Sequence, residues 1–315
     1  MILDVALWGC QKKMLFNCKE CDQSFSTERS LHAHLKVHDL FVADYYCKYF
    51  TRKDLLTGAP LQFKQKDEYF SSYFSCRENM MDWLYVADEF EVKRVIGKML
   101  IDRVSQKKLS VAPNEVELFF ANLPPIKEYK RVFGSYTRAC QLAGVSPMFC
   151  DKLPKEWSYN FSTKKIFIDT REQKKLIFSN SELMKLDVGD YSVGGEDFKN
   201  TFVDRKSFED WCGTLTGDNL KRFEKEILRA QKQDCYLWVV IEAPLESIFS
   251  LAKSSHHKPN ISYISHNMRT LQHKYKSCLQ FLFSGSRENS QLIIPKLLCL
   301  GDKLWKTDVQ HFIQL

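Results

Sequence analysis

Two acids and a lysine brought to one spot are the minimum for metal-assisted hydrolysis of a phosphodiester, and residues 188–210 supply them. The stretch reads VGDYSVGGEDFKNTFVDRKSFED. It holds Gly189-Asp190, a short interval, then Asp204-Arg205-Lys206 and Asp210. Paired carboxylates offer the hard oxygen ligands that Mg²⁺ prefers. Such an ion lowers the pKa of a bound water and offsets charge on the phosphate in flight. A lysine beside it can hold the attacking water and oppose the phosphate's charge. A lone acid-x-Lys is most often a surface loop with ordinary charges. Here it comes with an upstream Gly-Asp, a strand ending in Asp169 and a downstream Asp210.

The local pattern suits that chemistry. Phe202-Val203 is a short apolar run that reads as a strand, and Ser207 to Leu215 can start a helix. Strand alternation puts Asp204 and Lys206 on one face and Arg205 on the other. Asp190 is read as ending a strand over Met184 to Val188, at a glycine. Each residue also has a structural reading. Asp210 can cap the helix that starts near Ser207, Arg205 can pair with a buried acid, and Asp190 can be a turn residue.

Residues 165–243 resemble the nuclease domain of the XPF (ERCC4-type) family. The family's signature is GD, a variable gap, then ERK-x3-D, preceded by a strand carrying DxRE. Here Gly189-Asp190, Asp204-Arg205-Lys206, Asp210 and Asp169-Thr170-Arg171-Glu172 stand in those places. Asp204 replaces the usual Glu, one methylene shorter. The resemblance implies a restriction-endonuclease-like α/β domain that hydrolyses DNA with Mg²⁺ or Mn²⁺. It implies Asp190 and Asp204 as metal ligands, with the Arg205 carbonyl as a third and Asp169 contributing through water or a second ion. Lys206 would align the hydroxide, Asp210 would orient Lys206 or Arg205, and Arg171 and Glu172 would position water and ligands. Arg222 and Arg229 lie where the family presents arginines near DNA. Family members pair through the nuclease domain, so a homodimer or heterodimer is implied. Many carry a tandem helix-hairpin-helix module after that domain. No Gly-rich hairpin pair follows here, so docking is expected to fall to the segments before it.

Those segments begin with a second ligand set, Cys18-x2-Cys21-x12-His34-x3-His38. Two thiolates from a turn and two imidazoles one helical turn apart close a tetrahedral zinc site. Zinc supplies the folding energy that so short a segment lacks. Phe25 and Leu31 fall where a C2H2 zinc finger, which this segment resembles, places its small ββα core. Thr27, Ser30 and Ala33 would face bases, with Arg29 beside them, and only Arg29 reads guanine strongly. One finger spans about 3 bp. It therefore adds affinity for DNA or grips another protein.

Residues 40–75 are rich in Tyr and Phe among lysines, which is packing surface or a stacking face for bases. Residues 77–106 carry apolar residues at helical spacing, in one or two pieces. Short helices follow over Glu115 to Asn122, Ile126 to Phe133 and Tyr136 to Ala143, with a turn at Gly134. The last pair resembles the helical repeat attached to homing endonucleases, through Arg131, Phe133, Gly134, Ser135, Tyr136, Ala139, Ala143 and Gly144, with Tyr136 where the repeat has Trp. That implies an accessory DNA-binding unit presenting Lys130, Arg131 and Arg138.

The organisation so read is an N-terminal arm and finger (1–40), a mostly helical region (41–150), a linker (151–163) and a nuclease domain (164–315). Within the last, strands are expected at Ile166 to Asp169, Leu183 to Val188, Thr201 to Val203, Tyr236 to Ile241 and Phe281 to Phe283, alternating with helices into a sheet covered on both faces. With 27% charged and 44% apolar residues among 315, the chain is globular rather than disordered. Its net charge of +7 has the sign that a polyanionic partner requires. Eleven scattered cysteines, no basic leader with a small-residue cleavage site and no bilayer-length apolar run predict an intracellular protein, nuclear or cytoplasmic, with free thiols and no membrane. The expected activity is cleavage of branched or flap DNA in repair, recombination or the processing of a mobile or viral genome. A site-directed homing-type endonuclease and a non-catalytic DNA-binding adaptor are the alternatives.

Overall fold

The computed structural model describes residues 16–49 and 77–313. The N-terminal arm and the aromatic residues Phe50, Tyr69, Phe70, Tyr73 and Phe74 lie outside them. The chain divides into two compact units, Met1–Val95 and Ile96–Leu315.

In the first unit, strand β1 (Phe16–Asn17) pairs antiparallel with β2 (Ser24–Phe25), and helix α1 (Glu28–His34) follows. Thr27 opens α1 by accepting the Ser30 N–H at 3.1 Å. A 3-10 turn over Leu35–His38 continues it, then α2 (Val42–Tyr49) begins. Cys18, Leu31, Leu35 and Tyr45 form a small buried core, with Phe16 and Phe25 against it. Tyr45 and Tyr49 pack ring against ring within that cluster, tilted at 50°, so these aromatics are packing surface. The helical run after residue 77 is in two pieces, α3 (Arg77–Val86) and α4 (Glu89–Lys107), and residues 96–107 of α4 belong to the second unit. Asp88 separates them and accepts the Phe90 N–H at 2.9 Å.

In the second unit, β3 (Val111–Ala112) and β4 (Ser146–Pro147) pair in parallel around three helices: α5 (Glu115–Phe120), α6 (Ile126–Phe133) and α7 (Tyr136–Leu142). Gly134 takes the left-handed φ of 79° that ends α6, and Ser135 caps α7 through the Arg138 N–H. Tyr136 is buried, and its hydroxyl donates to the Pro113 carbonyl at 2.6 Å.

A six-stranded mixed sheet follows, built from β5 (Ile166–Asp169), β6 (Ser181–Met184), β7 (Tyr191–Val193), β8 (Thr201–Lys206), β9 (Tyr236–Ile241) and β10 (Leu279–Phe283). Their order across the sheet is β10-β9-β8-β7-β5-β6. β8, β9 and β10 run parallel, β7 is antiparallel to both its neighbours, and β5 pairs in parallel with β6. β9 shows why this sheet is doubly covered. Leu237, Val239 and Ile241 join one core, and Tyr236, Trp238 and Val240 join the other. The first core is closed by α8 (Phe208–Thr214), α9 (Gly217–Lys232), α10 (Ile248–Ser254) and α11 (Ile261–Lys274), together with Val116 and Phe119 of α5. The second is closed by α12 (Arg287–Leu300). No helix among the described residues is long and apolar enough to cross a membrane. Every described cysteine is a free thiol.

Two strand expectations need correction. The segment read as a strand over Leu183 to Val188 is one only up to Met184, because Leu186 is diverted: its N–H donates to Asp169 and its carbonyl accepts from Arg171, each at 2.7 Å. Asp190 accordingly precedes a strand, β7, rather than ending one.

Candidate active site and metal centre

β8 and the turn before β7 place the two central acids. Asp204 lies two residues from the C-terminal end of β8 and is 2% exposed. Its Oδ1 accepts from Lys206 Nζ at 2.7 Å, so acid and lysine share a face as the alternation predicts. Its Oδ2 is buried with no hydrogen-bond partner. Asp190 is brought alongside by backbone bonds: its N–H donates to the Val203 carbonyl, and its carbonyl accepts from the Asp169 N–H, both at 2.8 Å. Its Oδ2 accepts from the Arg205 N–H, also at 2.8 Å.

This approach requires a glycine at 189. Gly189 has φ +65°, and a Cβ there would sit 2.8 Å from the Val203 carbonyl oxygen. Left-handed strain and a backbone clash combine, so Gly189→Ala is expected to lose about 2 kcal/mol of stability. A urea midpoint checks this, and an unchanged midpoint would show that the turn relaxes freely.

The electrostatics follow from crowding. Burial, then the charge of Asp204, pushes the Asp190 carboxyl well above its usual range. Burial pulls the Lys206 ammonium down, but Asp204 and Asp190 outweigh it and hold it above its ordinary value. Two desolvated carboxylates that repel each other, one with an orphaned oxygen, form an all-oxygen donor set. That set fits Mg²⁺ or Mn²⁺.

The remaining predicted residues divide. Asp169 is saturated: its oxygens accept from Arg171 N and Nε, Arg171 Nη2 and Leu186 N, at 2.7–3.0 Å. Burial opposes its ionisation, yet the Arg171 and backbone donors hold it down at about 2. It anchors Arg171 and the turn at Leu186. The sign of this shift makes its contribution full above the unfolded value, about 4, and lost as pH falls toward 2. Asp169→Asn is therefore expected to flatten the acid limb of a stability–pH profile between those values. An acid limb identical to the wild type would remove Asp169 from this role.

Arg205 turns its side chain away from the paired acids and bridges Glu172 at 3.0 Å and Glu242 at 2.7 Å. This is the buried-acid pairing, a strut between the segment after β5 and the end of β9. Asp210 joins Ser207 in a reciprocal cap: the Asp210 N–H donates to Ser207 Oγ, whose hydroxyl donates to Asp210 Oδ2. Its carboxylate is thus engaged with Ser207 rather than orienting Lys206 or Arg205. Arg171, Lys174, Asp190, Lys206, Asp210 and Asn219 are among the residues lining a cleft of about 500 Å³.

Sequence reasoning missed Glu226. Its Oε1 accepts the Gly189 N–H at 3.0 Å, and burial, then Asp204, raises its carboxyl. It is thereby a third acid at the paired carboxylates, reaching in from α9. It lies beside the buried stripe of Phe223, Ile227 and Ala230, and nothing in the local sequence marks it as different from the other charged residues of α9.

The predicted DNA contacts are scattered. Arg29 is exposed on α1, Arg138 on α7, and Arg222 and Arg229 on α9. Lys130 pairs with Asp151 at 3.3 Å and Arg131 with Glu128 at 2.8 Å.

The Cys/His set converges in the first unit. The ligand atoms of Cys18, Cys21, His34 and His38 lie within 4.8 Å of one another. Cys21 Sγ is 3.3 Å from His34 Nε2, which is 3.0 Å from His38 Nε2. Bonds of about 2.0–2.3 Å to a tetrahedral ion fit such separations. The knuckle is closed by Cys18 N–H to Gln23 O and Asp22 N–H to Cys18 O, each at 2.8 Å.

No protein-family profile matches the chain, and no curated protein matches it. Among solved structures it is similar to XPF from Aeropyrum pernix, at 18% identity and a TM-score of 0.33, over 44% of this chain and 66% of that one. It is also similar to XPF from Aeropyrum pernix in complex with DNA, at 17% identity and a TM-score of 0.34, over 44% and 64%. The chain thus spans just under two thirds of the length of those structures. Scores of this size are too low to transfer activity, substrate or partner.

Proposed function

We propose that this chain is a metal-dependent DNA endonuclease that acts on branched or flap DNA. The observation that carries the reading is Asp204: buried, with one oxygen on Lys206 and the other unpartnered, beside a desolvated Asp190. Asp169, by contrast, has both oxygens satisfied. Asp190 and Asp204 hold Mg²⁺ or Mn²⁺, with Glu226 adjoining. When bound, the ion lowers the pKa of a water and neutralises charge on the phosphate. Lys206, fixed by Asp204 at the cleft, donates a hydrogen bond to the attacking water or a phosphate oxygen. The Arg205 bridge holds the end of β8 in place, so the Arg205 N–H keeps Asp190 oriented. Arg171 and Lys174 at the cleft offer charge to the nucleic-acid backbone. In the first unit, Cys18, Cys21, His34 and His38 hold zinc.

The test is cleavage of a labelled panel of single strand, duplex, 5′ flap, 3′ flap, fork and four-way junction, with Mg²⁺ and with chelator. Cutting confined to branched substrates, and lowered about a hundredfold or more by Lys206→Ala, is the expected outcome. Binding without cutting in Mg²⁺ or Mn²⁺ would sink the enzyme reading.

A further inference from the structure

Arg103, near the C-terminal end of α4, and His273 of α11 share one carboxylate, Glu117 of α5, and the charges of Arg269, Lys107 and Arg103 act on the neighbouring His266 of α11. Glu117 is buried and already engaged on both oxygens. Oε1 accepts from Arg103 Nη2 at 2.8 Å and Nε at 3.2 Å, and Oε2 meets His273 Nε2 at 2.6 Å. Arg269 is left over. It is half-buried, and its hydrogen bond is to a neutral acceptor, His266 Nδ1, at 3.1 Å. Arg103, Arg205 and Arg287, the other buried or half-buried arginines among the described residues, each hold a carboxylate. Removing a guanidinium from water without a carboxylate hydrogen-bonded to it is costly. Burial pulls the Arg269 guanidinium below its ordinary value, the nearby Glu117 carboxylate opposes that only in part, and the charge of Arg103 adds to the lowering. The hydrogen bond also sets the imidazole: with Nδ1 accepting, His266 carries its proton on Nε2 and presents a second donor.

We propose that Arg269, His266 and Lys107 form a seat for a backbone phosphate of the DNA substrate. The inference rests on the nuclease reading above. The guanidinium and the imidazole supply hydrogen-bond donors, and the exposed Lys107 adds charge. Glu117 and His273 lock Arg103 behind them. The position suits a strand that also reaches the cleft. Asn267, next to His266, donates to the Leu215 carbonyl at 2.9 Å, and the preceding Gly213 and Thr214 line the cleft. A strand cut beside Lys206 thus gains a contact away from the scissile bond. No charge pattern in the sequence marks this seat, because its residues come from α4 and α11, about 160 positions apart (residues 103–107 and 266–269).

The test measures binding of a fluorescent forked DNA by the full chain, with Asp204→Asn to block cutting, from 50 to 200 mM NaCl. Arg269→Gln with Lys107→Gln is compared with the parent and with Lys303→Gln as a control. Losing this one phosphate contact should lower the salt slope by about 0.9 and weaken binding roughly tenfold near physiological salt. Lys303→Gln should leave both unchanged. A double variant that binds like the parent overturns the seat while the nuclease reading stands. A parent with no affinity for any DNA overturns both. Loss confined to a single-stranded RNA probe, with the forked DNA unaffected, makes this an RNA site and overturns the inference as stated. If the double variant fails to fold, Lys107→Gln alone, at an exposed position, should lower the slope by about half as much, roughly 0.5. An unchanged slope there counts against the seat equally.

Discussion

Asp190→Asn is expected to abolish cleavage, by about a thousandfold or more, while making the metal-free chain more stable. The two effects share one cause. Asp190 and Asp204 are held together by the turn at Gly189 and by β8, with burial and the charge of Asp204 opposing the charge of Asp190. The folded pKa of Asp190 is raised, so its contribution to stability is full below the unfolded value, about 4, and is lost as pH rises through the folded value. An asparagine carries no charge to lose. Its side-chain oxygen can still accept the Arg205 N–H, so the local geometry survives. In chelator near neutral pH the variant should melt a few degrees above the wild type, about 2–4 °C for a unit of this size. Added Mg²⁺ or Mn²⁺ should raise the wild-type melting temperature and leave the variant's unchanged. Calorimetry with and without the ion reads this crossing directly. A variant that melts lower than the wild type in chelator would mean that Asp190 is a structural turn residue. A variant that still gains stability from the ion would place the ion elsewhere.

The chemistry at the end of β8 was legible because strand alternation is a strict rule. Asp204 and Lys206 had to share a face, and they meet at 2.7 Å. β9 was legible for a similar reason, since six consecutive apolar residues suit a strand covered on both sides. The failures have equally specific causes. β7 is three residues long, with a buried Ser192 at its centre, so its pattern carries no apolar run. β6 is exposed at every position, and nothing in its side chains marks where the strand stops. What stops it is a side chain 17 residues earlier, Asp169, capturing the Leu186 N–H. Asp210 stands at the spacing of a catalytic residue, but that spacing also suits a cap for the helix opened by Ser207. Glu226 was out of reach because it joins the site through α9, whose register against Gly189 is a tertiary fact. Local rules placed the residues of one strand. They could not say which helix would lean over it.

Stripping the metal from the Cys/His centre is expected to unfold residues 16–49 and leave the second unit folded. The buried core there consists of Cys18, Leu31, Leu35 and Tyr45, and one of those, Cys18, belongs to the Cys/His set. So small an apolar core cannot offset the conformational entropy of ordering a hairpin, two helices and a knuckle. Zinc bound to such a site supplies roughly 10 kcal/mol or more near neutral pH, which reverses the balance. Tyr45 ties α2 to the same event, because its hydroxyl accepts the Lys19 N–H at 3.0 Å inside the knuckle. Losing the ion should therefore release α2 as well as α1. The measurement is amide dispersion for these residues by NMR, in wild type, in chelator, and in Cys21→Ser. All three samples should keep the dispersed signals of the sheet, and only the wild type with zinc should keep those of residues 16–49. Metal analysis should return one zinc per chain for the wild type and none for the variant. A segment that stays dispersed without metal would mean that the hairpin and helices hold through packing, and that the four ligands converge without needing an ion.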